Sequence, residues 1–191
     1  MPVRDLTFRV QGVPARGSKE NASFFEEICG GNSLNTAIGI ARLGGRVSRS
    51  GPMGDPREIS SRYIFEQLAQ EGIETKQLVH VRGLATPISA IMIDPTGRAH
   101  QHHLPRFGIV EVKLPLVDTV LEDCDAVPTE SGCAEFCTDV CAEAVRRGLP
   151  VIVDVDRAMS RREGLLTAST HLVFRQSRSR RRRANATRAR P

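Results

Sequence analysis

A pair of glycines followed by two asparagines carries the strongest chemical signal in the chain. In Gly30-Gly31-Asn32-Ser33-Leu34-Asn35-Thr36-Ala37, the glycines lack a Cβ and so let a ligand approach the backbone. The helix expected to follow offers free N–H groups in its first turn. Asn32 and Asn35 each donate and accept hydrogen bonds, which suits recognition of hydroxyl groups. Taken alone, the same turn serves an ordinary structural role equally well. Asp154 and Asp156 end an apolar strand, where ligands collect in open α/β sheets, although Asp156 serves equally as a helix cap. Cys133, Cys137 and Cys141 fall at i, i+4 and i+8, one stripe of a helix. With neither a fourth ligand nor a closing turn, they read as small core residues rather than a metal site. His100, His102 and His103 lack the spacing of a helical or zinc-finger pair, so no metal is expected there either.

Alternating strands and amphipathic helices must position these residues. Leu6 to Val10 predicts a strand, and residues 19–28 give no clear signal. A glycine turn at Gly30-Gly31 then feeds a helix whose Ala37, Ile40, Ala41 and Leu43 share helical spacing and which stops at Gly44-Gly45. Arg46 to Ser50 predicts a short strand, with a loop over Gly51 to Pro56. A helix over about 57–71 places Ile59, Tyr63, Ile64 and Leu68 on one face. Strands follow at Gln77–Val81 and Pro87–Asp94, the latter turning at Thr96-Gly97. After an irregular stretch, 98–112, come a strand at Asp125–Val127, a helix over 133–147 and a continuous apolar strand at Val151–Val155. A short helix near 160–168 leads to a last strand at Thr170–Phe174. Repeated strand–helix units predict an α/β fold with a mostly parallel sheet and right-handed crossovers.

In their neighbours and order, these motifs resemble the ribokinase-like, PfkB-type carbohydrate kinases. The family signature is Gly-Gly, three residues, Asn, then an Ala-rich helix closing on Leu-Gly, and residues 30–44 supply each part. Gly51-Pro52-Met53-Gly54-Asp55 is similar to the family's Val-Gly-x-Asp turn. The segments 68–78 and 85–97 are similar to two further family stretches. The resemblance covers about residues 3–174. It implies a three-layer α/β sandwich with a small β lid over a sugar, the lid drawn from about 6–28 and 86–112. It also implies that Asp5, Gly30, Gly31 and Asn35 grip sugar hydroxyls, that Asn32 varies with the sugar, and that Glu130 is a possible contact on the substrate side. ATP and Mg²⁺ are the cofactors it implies, and a homodimer through the lid is a possible assembly. The family places its catalytic base and anion hole in an Asp-Thr-x-Gly-Ala-Gly-Asp motif, which these 191 residues do not contain. The expectation is therefore a C-terminally truncated sandwich that binds sugar with impaired or no turnover, or a non-catalytic pseudokinase fragment. No catalytic residue is assigned.

Composition limits the alternatives. The net charge of +5 is concentrated in residues 175–191, which hold eight Arg and no acid; the remainder carries 19 basic and 22 acidic residues, a net charge of −3. An arginine-rich, disordered tail of this kind suits phosphate backbones. It has no aromatic platform, however, and no nucleic-acid-binding fold precedes it, so nucleic acid is the lesser reading. Five cysteines without a secretory signal argue against a disulfide framework. No apolar run approaches the ~20 residues a membrane helix needs, and a cytoplasmic location is expected. A change of reading frame would account for both 98–112 and the tail after Phe174, and the gene sequence tests it.

Overall fold

The structure is a computed structural model that describes residues 2–12, 14–103, 112, 114, 116–156, 159 and 164–174. Its first half runs β1 (Val3–Arg9), β2 (Phe24–Gly30), α1 (Asn32–Arg42), β3 (Ser48–Met53), α2 (Ile59–Gln70) and β4 (Glu74–His80). β5 (Ile88–Ile93) and β6 (Ala99–His103) form a hairpin, and α3 (Val117–Val120) follows. The last part is β7 (Val127–Glu130), a 3-10 turn over Ser131–Cys133, α4 (Ala134–Arg146), β8 (Val151–Val155), α5 (Gly164–Thr167) and β9 (His171–Phe174).

Three sheets result. One has the order β2-β1-β5-β6, with β1 antiparallel to β2 and parallel to β5, and β6 antiparallel to β5. β3 and β4 form a parallel pair, and β7-β8-β9 a parallel triplet. The β3–β4, β7–β8 and β8–β9 pairs each have a helix between their strands, the usual crossover for parallel strands, while β1 and β5 are separated by the whole stretch from β2 to β4. The expected α/β class with mostly parallel pairing is what the chain adopts.

Two apolar cores sit beneath the parallel sheets. Leu34 and Ala37 of α1 pack with Met53, Ile64, Leu68, Ile73 and Leu78. Val140, Cys141 and Ala144 of α4 pack with Val151, Val153, Leu165 and Ala168. Cys141 is fully buried and Cys137 packs against the same core, as expected, whereas Cys133 departs from the expected stripe: it sits in the 3-10 turn before α4, half-buried, and donates to Glu130. Polar locks hold the ends. Glu58 caps α2 by accepting from the backbone N–H groups of Ser60 and Ser61, each at 2.9 Å. Asp55 accepts from the N–H of Gly83 at 2.9 Å and from the Arg57 guanidinium at 2.7 Å. A Cβ at Gly54 would meet the Ser61 and Thr86 hydroxyls at 2.5 Å, so this turn closes only around glycine.

Several boundaries and faces differ from expectation. Leu43 follows α1 and is 90% exposed, because the helix ends one residue earlier and the chain turns out to Gly44. Ile59 is 63% exposed at the first position of α2, and the buried face instead includes Ser60 and Ser61. β3 runs through Gly51-Pro52-Met53, where a loop was expected: Pro52 pairs with Val79 on the only side where β3 has a partner among the described residues, and proline is compatible with an edge strand. β7 begins at Val127, where that expected strand ended. Within 98–112, Ala99–His103 continue the hairpin as β6, with His100 opposite Met92 and His102 opposite Ala90. Residues 104–111, 160–163 and 175–191 lie outside the described residues. So do the remainder of the irregular stretch's lid reading, the start of the 160–168 helix and the tail readings.

Candidate functional site

Register brings Asp5 and Gly30 together. Val3 pairs with Gly30 across the antiparallel β1–β2 ladder, and Asp5, two residues on, lies on the same face. Its carboxylate rests where a side chain at residue 30 would project, so that a Cβ on Gly30 would collide with all three terminal Asp5 atoms. In the parallel direction Asp5 is opposite Ser89, which is fully buried. Burial, and then the Asp5 carboxylate, push the neighbouring Cys29 thiol up to about 11. It stays protonated near neutrality.

Gly31 then turns the chain into α1. Its φ of 100° and ψ of 132° lie in a region that essentially only glycine occupies. The helix therefore starts at Asn32, with Gly31 as its cap and no side-chain cap of its own. The missing cap comes from a distant strand. Glu130, at the end of β7 and 3% exposed, accepts from the Ser33 backbone N–H at 3.1 Å. Cys133 donates to the other Glu130 oxygen at 3.3 Å, and burial is the main reason its own thiol is raised to about 11. A carboxylate at a helix start is favourable because it satisfies a free N–H and faces the positive end of the helix dipole. Ser33 also accepts, through its hydroxyl, from Nη2 of Arg49 on β3 at 3.2 Å. One residue of the glycine turn is thus tied to both parallel sheets.

Asn32 points to a second group of residues. Its amide donates to Asp156 at 3.4 Å, and the Ser131 hydroxyl donates to the other Asp156 oxygen at 2.5 Å. Burial, then Asp156 and Glu130, push the Asp154 carboxyl above its ordinary value. Asn32, Asp154, Asp156, Val173 and Phe174 line a cavity of about 320 Å³. Asn35 lies one turn into α1 and is exposed. Among the described residues, Asp5, Gly30, Gly31, Asn32 and Glu130 therefore converge on one turn, with Asn35 on its solvent side. Sequence reading had flagged Asp154 and Asp156. It had missed Ser33 as the junction, Arg49 as its partner, and Ser131 as the clamp on Asp156. Each of these acts through contacts more than a dozen residues away in sequence, which local spacing does not reveal.

No group of three or more His, Cys, Asp or Glu side chains that could hold a metal ion occurs among the described residues. No described helix is long and apolar enough to cross a membrane. A second cavity of about 380 Å³, lined in part by Asp55, Arg57 and Glu58, is wide open and sits away from the glycine turn.

Comparison with known proteins agrees with this architecture. The model of the pfkB family carbohydrate kinases matches residues 2–101, a stretch that includes Asp5 and the whole glycine turn. Among solved structures, a protein of Agrobacterium tumefaciens provisionally assigned as a ribokinase is 29% identical, with a TM-score of 0.83 over 91% of this chain. The Arabidopsis thaliana ribokinase complexed with ribose and ATP is 18% identical with a TM-score of 0.75, over 91% of this chain and 57% of that one. A fructokinase from Xylella fastidiosa is 19% identical with a TM-score of 0.69, over 90% of this chain and 56% of that one. At such identities the last two speak for the fold alone. The chain spans 56% of the length of the Agrobacterium protein. On the family match across its first half and the shared ribokinase-like α/β fold, the chain belongs to the pfkB family of carbohydrate kinases.

Proposed function

We propose that these 191 residues form the sugar-binding side of an ATP-dependent carbohydrate kinase that phosphorylates a sugar hydroxyl. The observation that carries this reading is the meeting of Asp5, Gly30 and Gly31 with the start of α1. A half-buried carboxylate there accepts hydroxyl hydrogens beside a backbone that has no side chain in the way. Asp5, Gly30, Gly31 and Asn35 are assigned to the sugar hydroxyls, with Asn32 as the position that adapts to the sugar. Glu130, whose oxygens already serve Ser33 and Cys133, is assigned to holding α1 in place rather than to direct contact. The sheet β2-β1-β5-β6 is the proposed lid. Phe25, half exposed and 5.0 Å from the Phe8 ring between centroids, offers an apolar face for a second copy.

Phosphoryl transfer needs a base for the attacking hydroxyl and positive groups for the phosphates. The family's base motif is not in the sequence. The chain by itself is therefore proposed to bind sugar without turning it over. Calorimetric titration with ribose, fructose and glucose, paired with a phosphotransfer assay, tests both halves of this proposal. Saturable heat with at least one sugar, lost in Asp5→Ala and Asn35→Ala, is the expected result. A chain that binds none of them sinks the sugar reading, and phosphate transfer from ATP sinks the claim that this chain does not turn over.

A further inference from the structure

We propose that His100 and His102 on β6 form a two-nitrogen chelating site for nickel(II) or copper(II). The site lies on the face of the β2-β1-β5-β6 sheet away from Asp5. Asp5 is opposite Ser89, whereas the partners of the two histidines, Ala90 and Met92, alternate with Ser89 along β5. It stands whatever ligand the glycine turn takes.

A spacing of i, i+2 fits neither a helical pair nor a zinc finger, and by sequence alone no metal was expected. On a strand the same spacing has the opposite meaning, because side chains two residues apart share a face. β6 is such a strand, with His100 opposite Met92 and His102 opposite Ala90. At a rise of about 3.4 Å per residue, the two side chains start about 7 Å apart. Metal–nitrogen bonds of about 2.0–2.1 Å require the ligating nitrogens to come within about 3–4 Å of each other. Two imidazoles leaning together along the strand close that gap.

Their surroundings leave them able to do so. Both are exposed, and neither has a hydrogen-bond or ion-pair partner among the described residues. Ala90 ends in a methyl group, which leaves the ring of His102 room to turn. Arg98, the neighbouring cation, is already engaged by Asp94 at 3.4 Å and donates to the Thr96 hydroxyl at 3.1 Å. Glu27, in the same row across the sheet as His102, Ala90 and Leu6, is three strands away and pairs with Arg4.

Ligand number selects the metal. No third His, Cys, Asp or Glu completes a metal-holding group among the described residues. The chain thus supplies two nitrogens, and water supplies the remaining donors. A structural zinc site draws four protein ligands, whereas a tetragonal set of nitrogen and oxygen donors suits copper(II) or nickel(II).

Nickel(II) is the probe, since it does not oxidise the thiols of the chain as copper(II) does. Calorimetric titration of the 191-residue chain with nickel(II) chloride should show one site. Its affinity should fall at least about tenfold, or about 1.4 kcal/mol, in His100→Gln and likewise in His102→Gln. His103 takes the alternate register position, opposite Ser89, so His103→Gln should leave the affinity unchanged. In a chain without the strand, His102 and His103 would matter alike, and equal losses in the two variants overturn the assignment to β6. Nickel binding that survives His100→Gln/His102→Gln overturns the site itself, and tighter binding of zinc(II) than of nickel(II) overturns the metal class. Should a variant fail to fold, proton NMR of the unchanged chain decides. Substoichiometric nickel(II) should broaden the imidazole signals of His100 and His102 first, and earlier broadening at His80, His103 or His171 overturns the proposal.

Discussion

At Gly30 a single methyl group decides whether Asp5 keeps its place. Gly30→Ala drives a Cβ into the Asp5 carboxylate, and overpacking of this sort costs about 1–3 kcal/mol. Denaturant unfolding should show that loss together with abolished sugar binding. Adding Asp5→Gly should restore most of the stability and none of the binding, which separates steric fit from recognition. Glu130 is tested differently. Glu130→Ala leaves the Ser33 N–H without its acceptor in a buried setting, a loss of about 1–3 kcal/mol. Glu130→Gln keeps an oxygen for that N–H and should recover part of the stability in the same unfolding experiment. Asp55 gives a pH dependence. The Arg57 side chain, then the backbone N–H groups of Gly83 and Arg57, hold its carboxyl well below the usual range. Its contribution is present above the unfolded-state pKa of about 3.9 and drains away as pH falls from there toward the lower folded value. Urea unfolding from pH 5 to pH 2.5 should show a shallower decline of stability for Asp55→Asn than for the unchanged chain.

The helices show how far apolar spacing can be trusted. α2 places Ile64 and Leu68 in the core at 0% exposure, and the sequence pattern had named both. Leu68→Ala should lower stability by about 2–5 kcal/mol. Leu43→Ser, at an equally apolar position just past α1, should change it by less than about 0.5 kcal/mol, because that side chain stands in solvent. Melting temperatures of the two variants check the contrast. The pattern misplaced Leu43 and Ile59 because both fall at helix ends, where the chain departs from the 3.6-residue repeat. β8 was legible to the residue, since its apolar Val151-Ile152-Val153 leads into Asp154 and Val155 on a strand paired on both sides, with Val151 and Val153 buried. β2 was not, for Phe24–Gly30 is largely exposed and mixes two glutamates with aromatics. Its pairing with β1 is a tertiary fact, invisible to local alternation.

At the scale of the whole molecule, the family and its glycine turn could be read from the sequence, because the glycines, the asparagine and the helix stop are contiguous. The junction between the two cores could not, since Ser33, Arg49 and Glu130 come from three separate segments. The described part of β9 leaves Leu172, Val173 and Phe174 partly exposed, and β9 has β8 as its only described partner. An apolar edge strand of this kind invites pairing with another chain. Light scattering should therefore show mass rising with concentration, and Leu172→Lys should suppress the rise. Ser33 has a further thermodynamic consequence. It receives Arg49 from the sheet over one core and gives its N–H to Glu130 from the sheet over the other, while the adjoining Gly31 and Asn32 face the proposed ligand. A sugar seated there would be linked to the docking of the two cores, and linkage is reciprocal. Amide hydrogen exchange should then slow together in α2 and α4 when sugar is added, although neither helix would touch it.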